Sequence, residues 1–240
     1  MITSIYNNLN LPQVTFKDYQ TPTLTVLNAH FTAAPVTSSW RAAKEIVFEF
    51  PELLMNKSGI SAVYLITNRV NDRARRGTIL RSWIRNNRLH IEKIDAFNDY
   101  GPLHFYVCTA YVQGGQRRQV IKDGYVTTGI TGQPSGTQLD KKCLMVKPHY
   151  VFCQLSFRKF KTDSGSQQSF RITGMPSDVD VLLPVVYANP YVRTIGAPLS
   201  EGHLQNGVLT CTNPDDPSYM SNAGTFLQFF AVRDTESSQQ

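Results

Sequence analysis

Glu45-Ile46-Val47-Phe48-Glu49-Phe50 sets Ile46, Phe48 and Phe50 on one side of an extended backbone. Successive side chains of a strand point to opposite faces, so a run that alternates in twos belongs in a sheet with one face buried. The same reading applies to Leu103-His104-Phe105-Tyr106-Val107, to Val151–Phe157 and to Phe226–Val232. No stretch sustains helical spacing. The sequence therefore predicts an all-β protein of antiparallel sheets packed face to face, which ranks binding and building ahead of α/β enzyme chemistry.

Outward from these runs the chain divides readily. Residues 1–22 are polar, with Pro12 and Pro22, and read as an extended arm. Strands are expected at Thr23–Phe31, Glu45–Phe50, Ile60–Thr67, Thr78–Arg85, Leu89–Ile94, Leu103–Val112, Tyr150–Phe160, Phe170–Ile172, Val179–Tyr187, Gly207–Cys211 and Thr225–Arg233, with a short one at Tyr125–Thr128. Asn86-Asn87 between two of them reads as a hairpin turn, because Asn tolerates positive φ. Ser38–Lys44 and Glu52–Lys57 read as short helical turns. The stretches 113–143 and 195–224 read as long loops, with Gly129–Gly136 exposed, and 234–240 as a polar tail. No repeat or linker splits the chain, so one sandwich over 23–233 is the simplest architecture.

Composition sets further bounds. A chain of 240 residues with 41% hydrophobic residues can bury a sizeable core as one β domain. Charged residues make up 18%, below the usual quarter or so, which suits a surface covered by partners. The net charge of +6 fits contact with nucleic acid or an acidic surface. Cys108, Cys143, Cys153 and Cys211 form no CxxC pair and no zinc spacing with histidine, so four reduced thiols are expected. The first residues have neither a basic nor an apolar signal region, and no apolar run approaches the roughly 18 residues of a membrane span. A soluble chain that is not secreted is expected.

The most distinctive charge feature is arginine. Arg69, Arg73, Arg75, Arg76, Arg81, Arg85 and Arg88 lie close together, and Arg117-Arg118 and Lys141-Lys142 add further pairs. Guanidinium is the better phosphate fork, so the cluster fits a nucleic-acid face. It fits a subunit contact or the solvated side of a strand equally. Catalytic readings are thinner. Asp163-Ser164-Gly165-Ser166 lacks the flanking glycines of a serine-protease nucleophile, and His30 or His104 would have to serve as its base. His90, His149 and His203 are scattered. Asp178 with Asp180, and Asp215 with Asp216, offer oxygens for calcium or simple turn chemistry. Gly129-Ile130-Thr131-Gly132 is not a phosphate loop.

This layout, with the Pro-Tyr-rich segment Pro184–Arg193 and the closing strand Phe226–Val232, resembles the jelly-roll capsid proteins of picorna-like icosahedral positive-strand RNA viruses, plant secoviruses among them. The resemblance implies a single eight-stranded antiparallel jelly roll with long loops and an extended N-terminal arm. It implies a structural protein, not an enzyme, with no cofactor or metal. Its partners would be sibling capsid subunits, the viral RNA and a host receptor or vector, in a virion assembled in the host cytoplasm. Arg69, Arg73, Arg75, Arg76, Arg117, Arg118, Lys141 and Lys142 would then meet RNA or neighbouring subunits. Gln240 would be the end left by polyprotein cleavage after glutamine. The arm departs from many plant virus coats in lacking a long arginine run. The rival readings are a viral movement or RNA-binding protein, a carbohydrate-binding sandwich with Trp83, Tyr106 and Tyr111 as its platform, and a hydrolase centred on Ser164.

Overall fold

The computed structural model describes residues 3–4, 15–33, 45–49, 57–59, 63–67, 76–86, 88–92, 103–114, 126–132, 138–159, 167–188, 197–212 and 224–234. Among these the regular elements are strands, nineteen of them, where the resemblance implied eight. The first half holds β1 (Thr3–Ser4), β2 (Thr15–Gln20), β3 (Leu24–Ala33), β4 (Glu45–Glu49), β5 (Lys57–Gly59), β6 (Val63–Thr67), β7 (Arg76–Leu80), β8 (Ser82–Arg85), β9 (Arg88–Glu92) and β10 (Leu103–Val112). The second holds β11 (Val126–Thr127), β12 (Ile130–Thr131), β13 (Gln138–Val146), β14 (Tyr150–Lys159), β15 (Gln167–Ile172), β16 (Asp180–Ala188), β17 (Ala197–Gln205), β18 (Val208–Thr212) and β19 (Gly224–Val232).

The ladders are antiparallel and nested. In the first half β3 pairs with β10, β4 with β9, β5 with β8 and β6 with β7. In the second, β14 pairs with β19, β15 with β18 and β16 with β17. Each half is thus a long hairpin rolled over on itself. Ladders of β19 with β16, β17 with β18, β13 with β14, β11 with β13 and β12 with β15 carry the second half round into a ring. Ala197 and Pro198 of β17 also pair with β7, which ties the two halves at one rim.

The strands between the halves are not half-buried, as simple alternation suggested; they bury both faces. β14 turns Val151, Cys153, Leu155 and Phe157 into the second half's core, and β19 turns Leu227, Phe229 and Ala231 the same way. Their alternate residues Tyr150, Phe152, Phe230 and Val232 face out of the ring and pack on Leu24 and Val26 of β3 and Ala110 and Val112 of β10. The opposite side of β3 and β10 is buried in turn, through Leu27, Phe31, Phe105 and Val107, with the Phe31 and Phe105 rings stacked at 4.8 Å. This seam explains why Phe226–Val232 is almost continuously apolar: a strand covered on both sides needs apolar residues on both.

Among the polar side chains in the buried regions, Asn28 and Lys57 tie strands together. Asn28, 5% exposed, faces the seam from β3. Its Nδ2 donates to the Phe230 carbonyl at 2.7 Å and its Oδ1 accepts from the Val232 N–H at 2.7 Å. Lys57, 3% exposed, donates to Thr25 Oγ1 at 2.7 Å and to the Thr21 carbonyl at 3.0 Å, and burial lowers its pKa.

Several expectations need correction. The segment read as an arm contains β2, which pairs along β3 from Thr15↔His30 to Gln20↔Thr25. Lys57, read as the end of a helical turn, belongs to β5; the rest of that turn and Ser38–Lys44 lie outside the described residues. Thr78–Arg85 is broken at Arg81, because β7 pairs with β6 while β8 pairs with β5. The two stretches read as long loops contain, besides the expected β11 and β18, the strands β12 and β17 and most of β13. β17 escaped notice because its inward positions include Gly202, where a Cβ would come within 3.0 Å of Leu209 and Val185 side chains, so apolar alternation is absent there. The Asn86 turn forms as expected, with φ at 52° and Arg85 opposite Arg88.

Replacing Asn28 with Ala leaves a buried carbonyl and a buried N–H of β19 without partners. At about 1–3 kcal/mol for each unsatisfied group, urea unfolding should show a loss of about 2–6 kcal/mol. A loss within 0.5 kcal/mol or so, the ordinary scale of surface substitutions, would remove Asn28 from the account of the seam.

Candidate functional site

The structure distributes the basic residues read from the sequence. Arg69, Arg73, Arg75, Arg117, Arg118 and Gln240 lie outside the described residues, as do Ser164, Asp215 and Asp216. Arg76 opens β7, opposite Thr67 and Pro198. Lys141 and Lys142 lie in β13 opposite Ser156 and Leu155, with Lys142 exposed. Arg81, Arg85 and Arg88, in contrast, are brought together on the β8–β9 hairpin, and all three are exposed.

That hairpin follows the strand rule closely. Ser82, Ile84, Leu89 and Ile91 point into the protein, where the Ser82 hydroxyl shares a hydrogen bond of 2.9 Å with the Tyr111 hydroxyl. Arg85, Arg88, Trp83 and His90 take the other face. Trp83 and His90 are opposite one another in the ladder and their rings stack at 5.5 Å and 10°. Glu45, on the neighbouring β4, reaches His90 Nδ1 at 3.3 Å. Aromatic and basic side chains that look dispersed in the sequence therefore alternate across one outer surface.

A second site lies where β2 and β3 meet β16 and β17. A cleft of about 620 Å³ is lined by Phe16, Lys17, Asn28, Ala29, His30, Asp180, Val181, Leu182 and His203. Lys17 Nζ reaches the Asp234 carboxylate at 2.6 Å and the Asp180 carbonyl at 3.3 Å. His203 Nε2 lies 2.7 Å from Asp180 Oδ1, and Gln205 donates to Asp180 Oδ2 at 3.1 Å. Burial alone would raise the Asp180 pKa; His203, Gln205 and Lys17 outweigh it and hold the carboxyl below its ordinary range. Beside the cleft, the Tyr106 hydroxyl donates to the Glu201 carboxylate, and the Cys108 thiol donates to the Leu182 carbonyl at 3.2 Å.

His30 and His104 come together as a ring stack. His30 stacks on Tyr106 at 4.6 Å and on His104 at 5.8 Å. Its Nε2 is buried without a hydrogen-bond partner. Burial lowers its pKa below the ordinary 6.5, and Glu201 offsets this in part. The residues lining the cleft include no hydroxyl or thiol for His203 and Asp180 to activate. Burial pushes the Cys108 thiol up to about 12, with an Asn28 hydrogen bond opposing, so it is held protonated. His203–Asp180 reads as a tie between β16 and β17.

The remaining candidates are also placed. Asp178 receives the Arg233 guanidinium at 2.8–3.0 Å, so both Asp178 and Asp180 are engaged by side chains. Among the described residues no group of three or more His, Cys, Asp or Glu is arranged for a metal. The four cysteines are free. Tyr106 and Tyr111 are 1% and 0% exposed, which removes them from any carbohydrate platform and leaves Trp83 alone. No helix among the described residues is long and apolar enough to cross a membrane. No protein family, curated protein or solved structure matches the chain.

His30 makes the seam sensitive to acid. Its folded pKa is depressed, so its stabilising share is complete above about 6.5 and is lost as the pH falls through the lower folded value. Unfolding free energy followed from pH 7.5 to 5 should fall, and the fall should be shallower in His30→Phe, which keeps the ring stack but takes no proton. An unchanged slope would assign the acid sensitivity to other groups.

Proposed function

We propose that this chain is a structural subunit of a picorna-like icosahedral capsid, assembling with sibling subunits around viral RNA. One observation carries the reading: the nesting of β3·β10, β4·β9, β5·β8 and β6·β7 is the pairing order in which a hairpin of eight strands rolls into a jelly roll. On this reading the roll occupies Leu24–Val112, and the second half, rolled in the same sense of pairing, forms a companion layer on β3 and β10. A wedge with covered faces meets its neighbours edge to edge, and many repeated contacts close a shell. On this reading the chain belongs to the virion and is assembled in the host cytoplasm. A receptor or vector would meet the outward surface.

The exposed arginine hairpin also favours a second reading, an RNA-binding movement protein that coats single strands without closing a shell. Electron microscopy of native material with nuclease protection on the same fraction separates the two. The expected result is closed shells containing this chain and protected RNA. Open ribonucleoprotein filaments would favour the second reading. A monodisperse monomer without protected nucleic acid would overturn both.

A further inference from the structure

We propose that the gap between β16 and β19 is a latent ladder: the two halves part as units, the side chains that the first half holds in the gap withdraw, and the second half closes its own ring by pairing Leu182 with Phe230 and Asp180 with Val232. The chain is then a joint with two states, docked and closed.

β16 and β19 pair at Ala188↔Gly224, Tyr187↔Thr225 and Val186↔Phe226, and then separate. They meet again at Val179↔Arg233, where the Asp234 N–H donates to the Asp178 carbonyl at 2.7 Å. Both contacts keep one register. Carried through the gap, that register sets Pro184 opposite Gln228, Leu182 opposite Phe230 and Asp180 opposite Val232. Alternate residues of an antiparallel strand send their N–H and C=O to the same edge, so Leu182 and Asp180, like Asp178, turn theirs towards β19. The gap is therefore a break in a ladder that is already in step. Pro184 sits at the break. It has no N–H, so the pairs that begin at Ala188 weaken on reaching it.

Three side chains of the first half fill the gap. Asn28 takes the Phe230 carbonyl and the Val232 N–H, the Cys108 thiol takes the Leu182 carbonyl at 3.2 Å, and Lys17 takes the Asp180 carbonyl at 3.3 Å. These four backbone groups are the ones that Leu182, Phe230, Asp180 and Val232 would offer one another in a closed ladder. When the halves part, each finds a new partner within the second half. Parting also releases Asp234 from Lys17 and Glu201 from Tyr106. Among the described residues Cys108 is the first half's one member of the second half's core, so that core otherwise stays whole. The apolar seam of Leu24, Val26, Phe152 and Phe230 is uncovered, which makes the closed form the minor one.

The test is native-state labelling of the full-length protein with iodoacetamide, read by peptide mass mapping, beside amide exchange of valine-labelled protein followed by NMR. Cys108 reports parting, whereas Cys153 and Cys211, buried in the second half's core, report global unfolding. The opening constant of Cys108 should exceed those of Cys153 and Cys211 by about ten-fold or more, as sub-global opening does. The Val232 amide loses its Asn28 acceptor on parting, yet it should open only with Cys153, because the Asp180 carbonyl receives it. Pro184→Val supplies the absent N–H and favours the closed ladder. It should raise Cys108 opening relative to Cys153 by about five-fold, the ratio for one net hydrogen bond. Equal constants for Cys108 and Cys153 in the wild type would overturn the proposal, since the halves would then not part. Exchange of Val232 at the Cys108 constant would also overturn it, by showing a gap that stays open, and this measurement needs no variant. A folded Pro184→Val with the wild-type ratio would count against closure in the same way.

Discussion

The carboxamide of Asn28 ties the two rolled halves together inside their shared apolar seam. It leaves one rolled half and satisfies a carbonyl and an N–H on β19 of the other, in a layer that excludes water. Apolar packing by Leu24, Val26, Phe230 and Val232 supplies the attraction, but apolar contact is indifferent to sliding. A directional pair of hydrogen bonds is not. It fixes the register of β3 against β19 to one residue, and with it the relative placing of Lys17, Asp180 and His203 around the cleft and of Tyr106 beside Glu201.

Burial on both sides of a strand also marks the limit of what could be read from residues in order. Alternation identified the strands that have one wet face, such as β8 and β9, and the Asn86 turn between them. It also located β3, β10, β14 and β19, whose apolar density is high. It missed β13, where Lys141 and Lys142 outweigh Leu144 and Met145, and β17, where Gly202 takes an inward position because no larger side chain fits. The signal that would have found β17 is local: Asn206 at φ 53° and Gly207 at φ 72° form a two-residue turn, and Asn-Gly between strands is among the strongest hairpin marks. The half-buried expectation for the seam strands failed for a different reason, since a third layer leaves no trace in the alternation of any single strand.

The candidate sites were legible in part. Arginine density around positions 69–88 pointed to the right region, but proximity in sequence did not select the residues that share a surface. Arg81, Arg85 and Arg88 do so because two of them sit at matched places on a hairpin. Trp83 and His90 were legible as strand residues, and their stacking follows only from the ladder register, which depends on the turn between them. The cleft had no sequence signature at all. Its polar groups come from β2, β3, β16 and β17, and Lys17 is separated from Asp180 by 163 residues.

The nesting of the ladders has a consequence during synthesis. The most local pairs, β8 with β9 and β17 with β18, join neighbours across two-residue turns and close early, because short loops lose little chain entropy. Each outer pair must wait for the one inside it, and β3 meets β10 only after the intervening chain has emerged from the ribosome. The seam face of that completed roll, with Leu24, Val26, Ala110 and Val112 upon it, then stays uncovered until β14 and β19 have been made. The nascent chain therefore passes through a stage in which a finished hydrophobic face awaits its cover, and that interval is when a chaperone or a second nascent copy competes with β19 for the same surface.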